Sequence, residues 1–194
     1  MYKKLPNLII GFHGCCRDTA EKVISGRDRL KASENIYDRP GHGIYFREHN
    51  YQRAFDWAIS KYGDNAAVIG AVIDPGFCLN LSDQFCASEL NKGYNMLKAR
   101  IDPEDMPKNR PSARSSEILL HDPDCAVIQQ LHEFRSVSGL DGYDSVRGLF
   151  IEGNPVYPGS EIRSRTHIQL CVCNPNCIKG YFRPVEADND YAMP

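Results

Sequence analysis

The pattern of apolar and polar residues predicts strands toward both ends of the chain and helices between them. An apolar run within residues 7–13 and a continuous apolar run over residues 66–73 are typical of buried strands. Other extended segments are expected at residues 30–33, 44–46, 77–81, 146–151, 166–173 and 177–182. The last two would form a hairpin around the turn at residues 174–176. This order favours an α+β fold with a largely antiparallel arrangement of strands.

Apolar stripes and capping residues indicate four helices. The clearest stripe has i, i+3, i+4, i+7 spacing and lies between Asn50, a good N-cap, and Gly63, which ends it. An Asp122-Pro123 pair combines an N-cap residue with proline at the first helical position. Helices are therefore predicted over residues 19–24, 51–62, from 82 or 83 to about 100, and from 122 to about 134.

Two polar segments are expected to be surface loops. Residues 101–116 contain three prolines together with Arg110 and Arg114. Residues 153–165 are also polar, and the acidic residues 185–194 are expected to form a loose tail. Because no repeat or linker divides the chain, a single domain over residues 1–194 is predicted.

Composition excludes several classes of protein. The chain has 194 residues, of which 42% are hydrophobic and 25% are charged, as in ordinary globular proteins. A net charge of −2 disfavours binding of duplex DNA through bulk charge. No apolar run is long enough for a membrane span or a signal-peptide core. A cytoplasmic protein is expected, or an effector that is delivered without a signal peptide.

Eight cysteines are expected to be reduced thiols, because no secretory signal precedes them. Cys171, Cys173 and Cys177 lack the second close pair that zinc sites normally have, so small buried side chains are the favoured interpretation and no metal is predicted. A thiol hydrolase that uses Cys15 or Cys16 has only the residue types in its favour.

Three predicted strand ends each place a histidine, tyrosine or glutamine beside glycine or apolar residues. The first is His13-Gly14, the second is Gly41-His42-Gly43-Ile44-Tyr45-Phe46, and the third is His167-Ile168-Gln169-Leu170. In the second, a glycine turn leads directly into a strand, so Tyr45 is expected at a sheet edge where its ring could stack on a flat ligand.

These strand ends, in this order, resemble the ADP-ribosyltransferase superfamily, and in particular its poly(ADP-ribose) polymerase-like branch with a His-Tyr-Glu triad. Phe12-His13-Gly14, followed by Val23-Ile24-Ser25-Gly26, is similar to the "HG…ILxxGL" segment of that family. Gly41-His42-Gly43-Ile44-Tyr45-Phe46, followed by Arg53-Ala54, is similar to its "GxGIYF…A" segment. Residues 8–58 carry this resemblance, and Gln169 stands where the family has a glutamate.

The resemblance implies a split β-sandwich, in which two small, mostly antiparallel sheets surround an NAD cleft and helices flank them. It implies that the catalytic residues are His13, Tyr45 and Gln169, and that NAD is bound by His13, Gly14, Ser33, Asn35, Gly43, Tyr45 and Trp57. In such a site His13 would hydrogen-bond a ribose hydroxyl, the backbone of Gly14 would pair with the nicotinamide carboxamide, and Tyr45 would stack on the nicotinamide ring.

Other side chains have both a functional and a structural interpretation. Trp57 or Tyr51 could close the aromatic sandwich, and Ser33 and Asn35 could instead cap their own loop. Glu152 and Glu161 could supply a carboxylate or be surface charges. The side chains that could recognise an acceptor, or simply be solvated, are His167, Arg110, Arg114, Arg163 and Arg165.

Glutamine cannot carry a charge or act as a base, so single transfer of ADP-ribose is expected rather than polymer synthesis. The resemblance then implies a bacterial-style mono-ADP-ribosyltransferase that uses NAD without a metal, with protein favoured over nucleic acid as the acceptor. A monomer is taken as the default oligomeric state. An NAD glycohydrolase and a non-catalytic NAD- or ADP-ribose-binding module are the alternatives. An RNA 2′-phosphotransferase relative would need a basic cleft, which the near-neutral charge disfavours.

Overall fold

The structure is a computed structural model that describes residues 8–112, 115–185 and 190, with the backbone alone at 112 and 115–119. Within these residues it has one mixed seven-stranded sheet, a two-stranded hairpin and four α-helices. The predicted α+β class is therefore confirmed. The prediction for Arg114 and most of the predicted tail lie outside the described residues.

Nine strands and four helices follow one another along the described chain. The strands are β1 (Ile9–Cys16), β2 (Ile44–Glu48), β3 (Ala66–Ile73), β4 (Cys78–Asn80), β5 (Arg110–Ser112), β6 (Ser115–Leu120), β7 (Ser145–Phe150), β8 (His167–Val172) and β9 (Ile178–Phe182). The helices are α1 (Arg17–Ile24), α2 (Tyr51–Tyr62), α3 (Gln84–Arg100) and α4 (Asp122–Val137). Asn50 and Asp83 cap α2 and α3 with their side-chain oxygens, as their positions predict.

The seven strands lie in the order β4-β7-β8-β2-β1-β3-β9, and only the β4–β7 pair is parallel. The expectation of two small separate sheets is therefore corrected, because β1 and β2 join the two halves into one. Their paired register covers only Gly11–Glu48 and Phe12–Arg47. The join is narrow, and it leaves the rest of β1 and β2 free to separate.

Two apolar cores cover the two faces of this sheet. The first contains Ile44 and Phe46 of β2 together with Ala20 and Val23 of α1. The second contains Ile128 of α4 and is packed against Tyr45, which lies between the two β2 residues of the first core. Because successive side chains of a strand point to opposite faces, the two cores lie on opposite sides of β2.

Several local predictions needed correction. The predicted hairpin of residues 166–173 and 177–182 is wrong, because β9 pairs with β3 at the sheet edge and β8 lies between β7 and β2. Strand β1 continues past the predicted end at His13-Gly14 to Cys16, because it pairs with β3 along its whole length. Residues 30–33 contribute only a single bridge, from Ser33 to Gly43. The proline-rich segment contains β5, which pairs with β6 in an unpredicted hairpin. Residues 153–165 are a folded loop with an antiparallel bridge between Pro155 and Arg163. No helix among the described residues is long and apolar enough to cross a membrane.

Candidate active site

The three predicted catalytic residues lie on three neighbouring strands of the sheet. His13 is on β1, Tyr45 on the adjacent β2, and Gln169 on β8, which is the other neighbour of β2. Tyr45 is opposite Cys171 in the β2–β8 register, and Gln169 is opposite Arg47. Tyr45, Arg47 and Gln169 therefore leave the sheet on the same face.

His13 binds the backbone of Tyr45 at the point where β1 and β2 separate. Its Nδ1 lies 2.8 Å from the carbonyl oxygen of Tyr45. A carbonyl only accepts, so Nδ1 carries the proton and donates, and Nε2 of the neutral ring remains an acceptor. Burial lowers the pKa of His13 to about 4, against the effect of this hydrogen bond. The ring is therefore neutral at physiological pH and can accept a hydrogen bond from a hydroxyl.

The backbone of Gly14 faces the gap that His13 helps to hold open. The carbonyl of Ile10 accepts a hydrogen bond from the N–H of His49, so Ile10 faces the β2 side. Alternate residues of a strand direct their N–H and C=O groups to the same side, so those of Gly14 also face β2. Extending the register would place Gly14 opposite Tyr45, whose carbonyl is bonded to His13 instead. This arrangement offers a donor and an acceptor to a ligand amide.

Glycine at position 14 also allows helix α2 to approach the strand. A Cβ atom there would lie 2.4 Å from the backbone oxygen of Ala54 and 3.2 Å from Cε3 of Trp57. Of the two predicted stacking candidates, Trp57 is thus the one beside Gly14. Tyr51 instead packs edge-on against Phe12, with the ring centroids 5.8 Å apart.

Tyr45 is held by its surroundings before any ligand binds. Its half-buried ring packs in the second core, and its hydroxyl donates to the carbonyl of Gly41. Burial raises the pKa of Tyr45 far above its usual range, so the phenol stays protonated. Gly41 has φ of 86°, which allows the turn that brings this carbonyl to the ring.

The loop before β2 uses the remaining predicted NAD-binding residues in its own contacts. Ser33 and Gly43 exchange two backbone hydrogen bonds of 2.8 and 3.0 Å. The amide of Asn35 donates to Oγ of Ser33 at 2.7 Å, and its backbone N–H donates to Asp38. The loop-capping interpretation of Ser33 and Asn35 accounts for these contacts. A Cβ atom at Gly43 would lie 2.6 Å from Sγ of Cys171, so glycine allows β8 to pack closely here.

Gln169 is oriented by His167, which is two residues earlier on the same face. His167 donates from Nδ1 to the carbonyl of Arg165 at 2.7 Å, and its Nε2 lies 2.9 Å from Nε2 of Gln169. Burial lowers the pKa of His167 to about 4, so its Nε2 is an acceptor and the amide nitrogen of Gln169 donates to it. The amide oxygen of Gln169 is left to accept from a ligand hydroxyl. His167 is only 4% exposed, which corrects the expectation of a solvated histidine.

Two arginines that sequence reasoning missed lie beside Gln169. Arg47 is opposite Gln169, and its Nε is shielded from solvent without a hydrogen-bond partner among the described residues. The Nε of Arg53 on α2 is likewise shielded from solvent without a hydrogen-bond partner among the described residues. Its Nη2 lies 2.5 Å from Oε2 of Glu152. Burial, followed by repulsion from Arg53, lowers the pKa of Arg47 to about 10. Two-residue periodicity from Tyr45 was the signal that could have identified Arg47.

The other predicted charges are distributed around this region. Glu152 is brought to the site through its pair with Arg53, whereas Glu161 and Arg165 are exposed. Arg163 is half-buried in the loop before β8, and Arg110 pairs with Asp122 at 2.7 Å. Among these side chains, Glu152 is the carboxylate that the structure brings beside Arg47 and Gln169.

Among the described contacts, no hydrogen bond joins the side chain of one residue of the predicted triad to the side chain of another, although the His13 ring bonds to the backbone of Tyr45. By strand alternation, His13 leaves β1 on the face of the first core, and Tyr45 and Gln169 leave on the other face. A ligand could reach all three only through the gap between β1 and β2. Two surface depressions among the described residues, of about 460 and 380 Å³, are lined by other residues.

All eight cysteines are free thiols. Cys173 lies 3.9 Å from Nε2 of His132, and its contact with Cys171, followed by that with His132, lowers its pKa to about 5. The described residues contain no cluster of three or more His, Cys, Asp and Glu side chains that could hold a metal ion.

Comparisons of the chain with family models, with curated proteins and with solved structures find no match.

Proposed function

We propose that the protein is an NAD-dependent mono-ADP-ribosyltransferase, which cleaves the bond between nicotinamide and ribose and transfers one ADP-ribose to a macromolecular acceptor. One observation carries the proposal. His13 takes the carbonyl of Tyr45 out of the β1–β2 ladder, so the backbone of Gly14 faces a gap between a neutral imidazole and a fixed phenol ring.

The geometry supports a binding mode for the nicotinamide half of NAD. The carboxamide would exchange hydrogen bonds with the N–H and C=O of Gly14. The flat ring would lie against Tyr45, with Trp57 near its other side. Nε2 of His13 would accept a hydrogen bond from a ribose hydroxyl, and the amide oxygen of Gln169 would accept one from another.

Cleavage then needs little acid–base chemistry from the protein. The C1′–N bond breaks with its electron pair leaving on nicotinamide, and positive charge develops on the ribose ring, as in glycoside chemistry. Holding the dinucleotide in a strained geometry and stabilising that cation lower the barrier. A nucleophile of the acceptor then attacks C1′ and loses its proton to water. Gln169 can orient a hydroxyl but cannot remove its proton, which supports one transfer rather than chain growth.

The proposal is tested with His13→Asn, which can keep the donor that bonds to Tyr45 but lacks the Nε2 acceptor. Release of nicotinamide from NAD by the purified protein should fall about a hundredfold or more. His49→Asn is the matched control, because His49 is exposed and has φ of 50°, which asparagine tolerates. Nicotinamide release that is equal in both variants, or absent from the wild type, would contradict the proposal.

Adenine-labelled NAD separates the proposal from its alternatives. Label attached to a protein acceptor is the result expected of a transferase, and a polymer ladder would contradict single transfer. Label found only as free ADP-ribose would identify an NAD glycohydrolase. Binding of NAD without any release of nicotinamide would identify a binding module.

A further inference from the structure

Arg47 of β2 and Arg53 of α2 lie close to each other, and Arg47 is opposite Gln169 in the sheet. On the face of the sheet that carries Tyr45, helix α2 packs over β1 at Gly14, and helix α4 packs in the second core near Cys171. Strand β2 lies between these two regions, with Arg47 pointing to the same face. Arg53 comes from α2, close enough for its charge to depress the pKa of Arg47.

The two guanidinium groups are only partly paired among the described residues. Arg47 forms no ion pair or hydrogen bond among the described residues, and the Nε atoms of both arginines are shielded from water without a partner. An unpaired charge in such surroundings is costly, and so is an unsatisfied buried donor. The bidentate pair of Arg147 with Glu48 shows the contrast, since both of its contacts are 2.6 to 2.8 Å long.

The carboxylate of Glu152 already lies against one of these two arginines. Oε2 of Glu152 contacts Nη2 of Arg53 at 2.5 Å, and its side chain is 40% exposed. It comes from the loop between β7 and β8, and its charge also acts on Arg47, although no hydrogen bond joins the two among the described contacts. Glu152 therefore stands where an oxyanion of a ligand could bind, and its single charge neutralises only one of the two arginines.

We propose that Arg47 and Arg53 form a binding site for a phosphate group, which displaces Glu152 and accepts hydrogen bonds from both guanidinium groups. Phosphate oxygens match the planar donors of arginine, and a doubly charged phosphate would neutralise both cations. The source of the phosphate is either the diphosphate of a dinucleotide such as NAD or a phosphate monoester on a second substrate. The site itself does not depend on the proposed chemistry of NAD.

Inorganic phosphate is the probe for the site. We expect it to bind the wild-type protein and raise its melting temperature, because a ligand of the folded state stabilises it. Arg47→Gln should weaken phosphate binding about tenfold or more, measured by calorimetry. Arg29→Gln removes the same charge from an exposed position and should leave binding unchanged.

Glu152→Gln is expected to change the affinity for phosphate in the opposite direction from Arg47→Gln. It removes the anion that competes for Arg53, so phosphate should bind several-fold more tightly than to the wild type. Arg47→Gln should also raise the melting temperature of the ligand-free protein, because it removes a largely desolvated charge that has no ion pair or hydrogen bond among the described residues. A purely structural role of Arg47 would lower that temperature instead.

Competition identifies the source of the phosphate. If ADP-ribose displaces phosphate and nicotinamide does not, the site takes the diphosphate of the dinucleotide. If ADP-ribose and phosphate bind together, the site takes a phosphate of a second substrate. Absence of phosphate binding to the wild type, or equal binding to Arg47→Gln, would overturn the inference whether or not the protein cleaves NAD.

Discussion

Two histidines in this protein are neutral because of where they lie. His13 and His167 each donate from Nδ1 to a backbone carbonyl, and each keeps Nε2 as an acceptor. Burial is the main cause of the lowered pKa of both residues. Each imidazole therefore acts at physiological pH as a fixed acceptor. That of His13 lies at the gap between β1 and β2, and that of His167 lies against the amide of Gln169.

This state makes stability depend on pH. The pKa of His167 falls from 6.5 in the unfolded chain to about 4 in the folded protein, so the unfolded chain binds the extra proton between these values. The contribution of neutral His167 to the free energy of unfolding is therefore complete above pH 6.5 and is lost as pH falls toward 4. For His167 we expect a loss of about 2 kcal/mol between pH ~7 and pH ~5, measured by urea unfolding at both pH values.

The variant His167→Asn keeps a donor for the carbonyl of Arg165 and has no group that titrates. It should show a smaller loss of unfolding free energy over this pH range than the wild type, by about 2 kcal/mol. Equal losses in both proteins would mean that His167 titrates normally when folded.

The sequence identified some of these residues and missed others. His13 and Tyr45 stand beside glycines in recognisable strand ends, so local pattern was sufficient to select them. Arg47 follows Tyr45 by two positions, but an arginine in a strand is usually solvated. Its significance comes from Arg53 and Gln169, which are brought to it by a helix and by a distant strand. His167 was underestimated for the same reason.

At the scale of secondary-structure elements, the contact between helix α2 and strand β1 is set by Gly14. The Cβ atom of any other residue would lie 2.4 Å from the backbone oxygen of Ala54. The helix would have to move away from the strand, because backbone atoms cannot rotate aside as a side chain can.

We expect Gly14→Ala to lower the free energy of unfolding by about 2 kcal/mol or more, through overpacking of this contact. Gly180→Ala is the matched control, because Gly180 is also in a strand but has no atom within 4 Å of the added Cβ. Its unfolding free energy should change by less than about 0.5 kcal/mol in chemical denaturation. A stable Gly14→Ala would mean that α2 can shift without cost.

Elements with a strong local signal were predicted well. The bounds of α2 and β3 agree with the apolar stripe and the apolar run that identified them. The hairpin of β5 and β6 was missed because Pro103, Pro107 and Pro111 dominated the pattern of that segment. The end of β1 was placed too early because its pairing with β3 is not visible in local sequence.

At the scale of the whole molecule, the sheet is one continuous body. Two small sheets were expected, and the narrow β1–β2 join is what unites them. Strand order depends on long-range pairing, which periodicity does not encode. The α+β class followed from the order of elements, whereas the position of β8 beside β2 was not predicted.

An ion pair links strands β7 and β2 of the sheet. Arg147 of β7 binds Glu48 of β2 in bidentate geometry across the intervening β8, and both side chains are less than 20% exposed. Glu48→Gln would leave the guanidinium group of Arg147 beside a neutral side chain with one acceptor oxygen instead of two. We expect a loss of about 2 to 3 kcal/mol of unfolding free energy, measured by chemical denaturation.

Asp18→Asn is the control for this prediction, because it breaks the exposed pair with Lys22. No measurable change is expected, since water screens that pair. Similar effects of the two substitutions would show that the Glu48–Arg147 pair is not buried in solution.

The position of β8 in the chain has a consequence for protein synthesis. This strand follows β2 by more than a hundred residues, yet lies directly beside it. A nascent polypeptide on the ribosome therefore exposes the imidazole and the phenol long before the amide emerges from the exit tunnel. Any chemistry that needs all three groups begins only when translation has passed β8, so a prematurely terminated product would be inert.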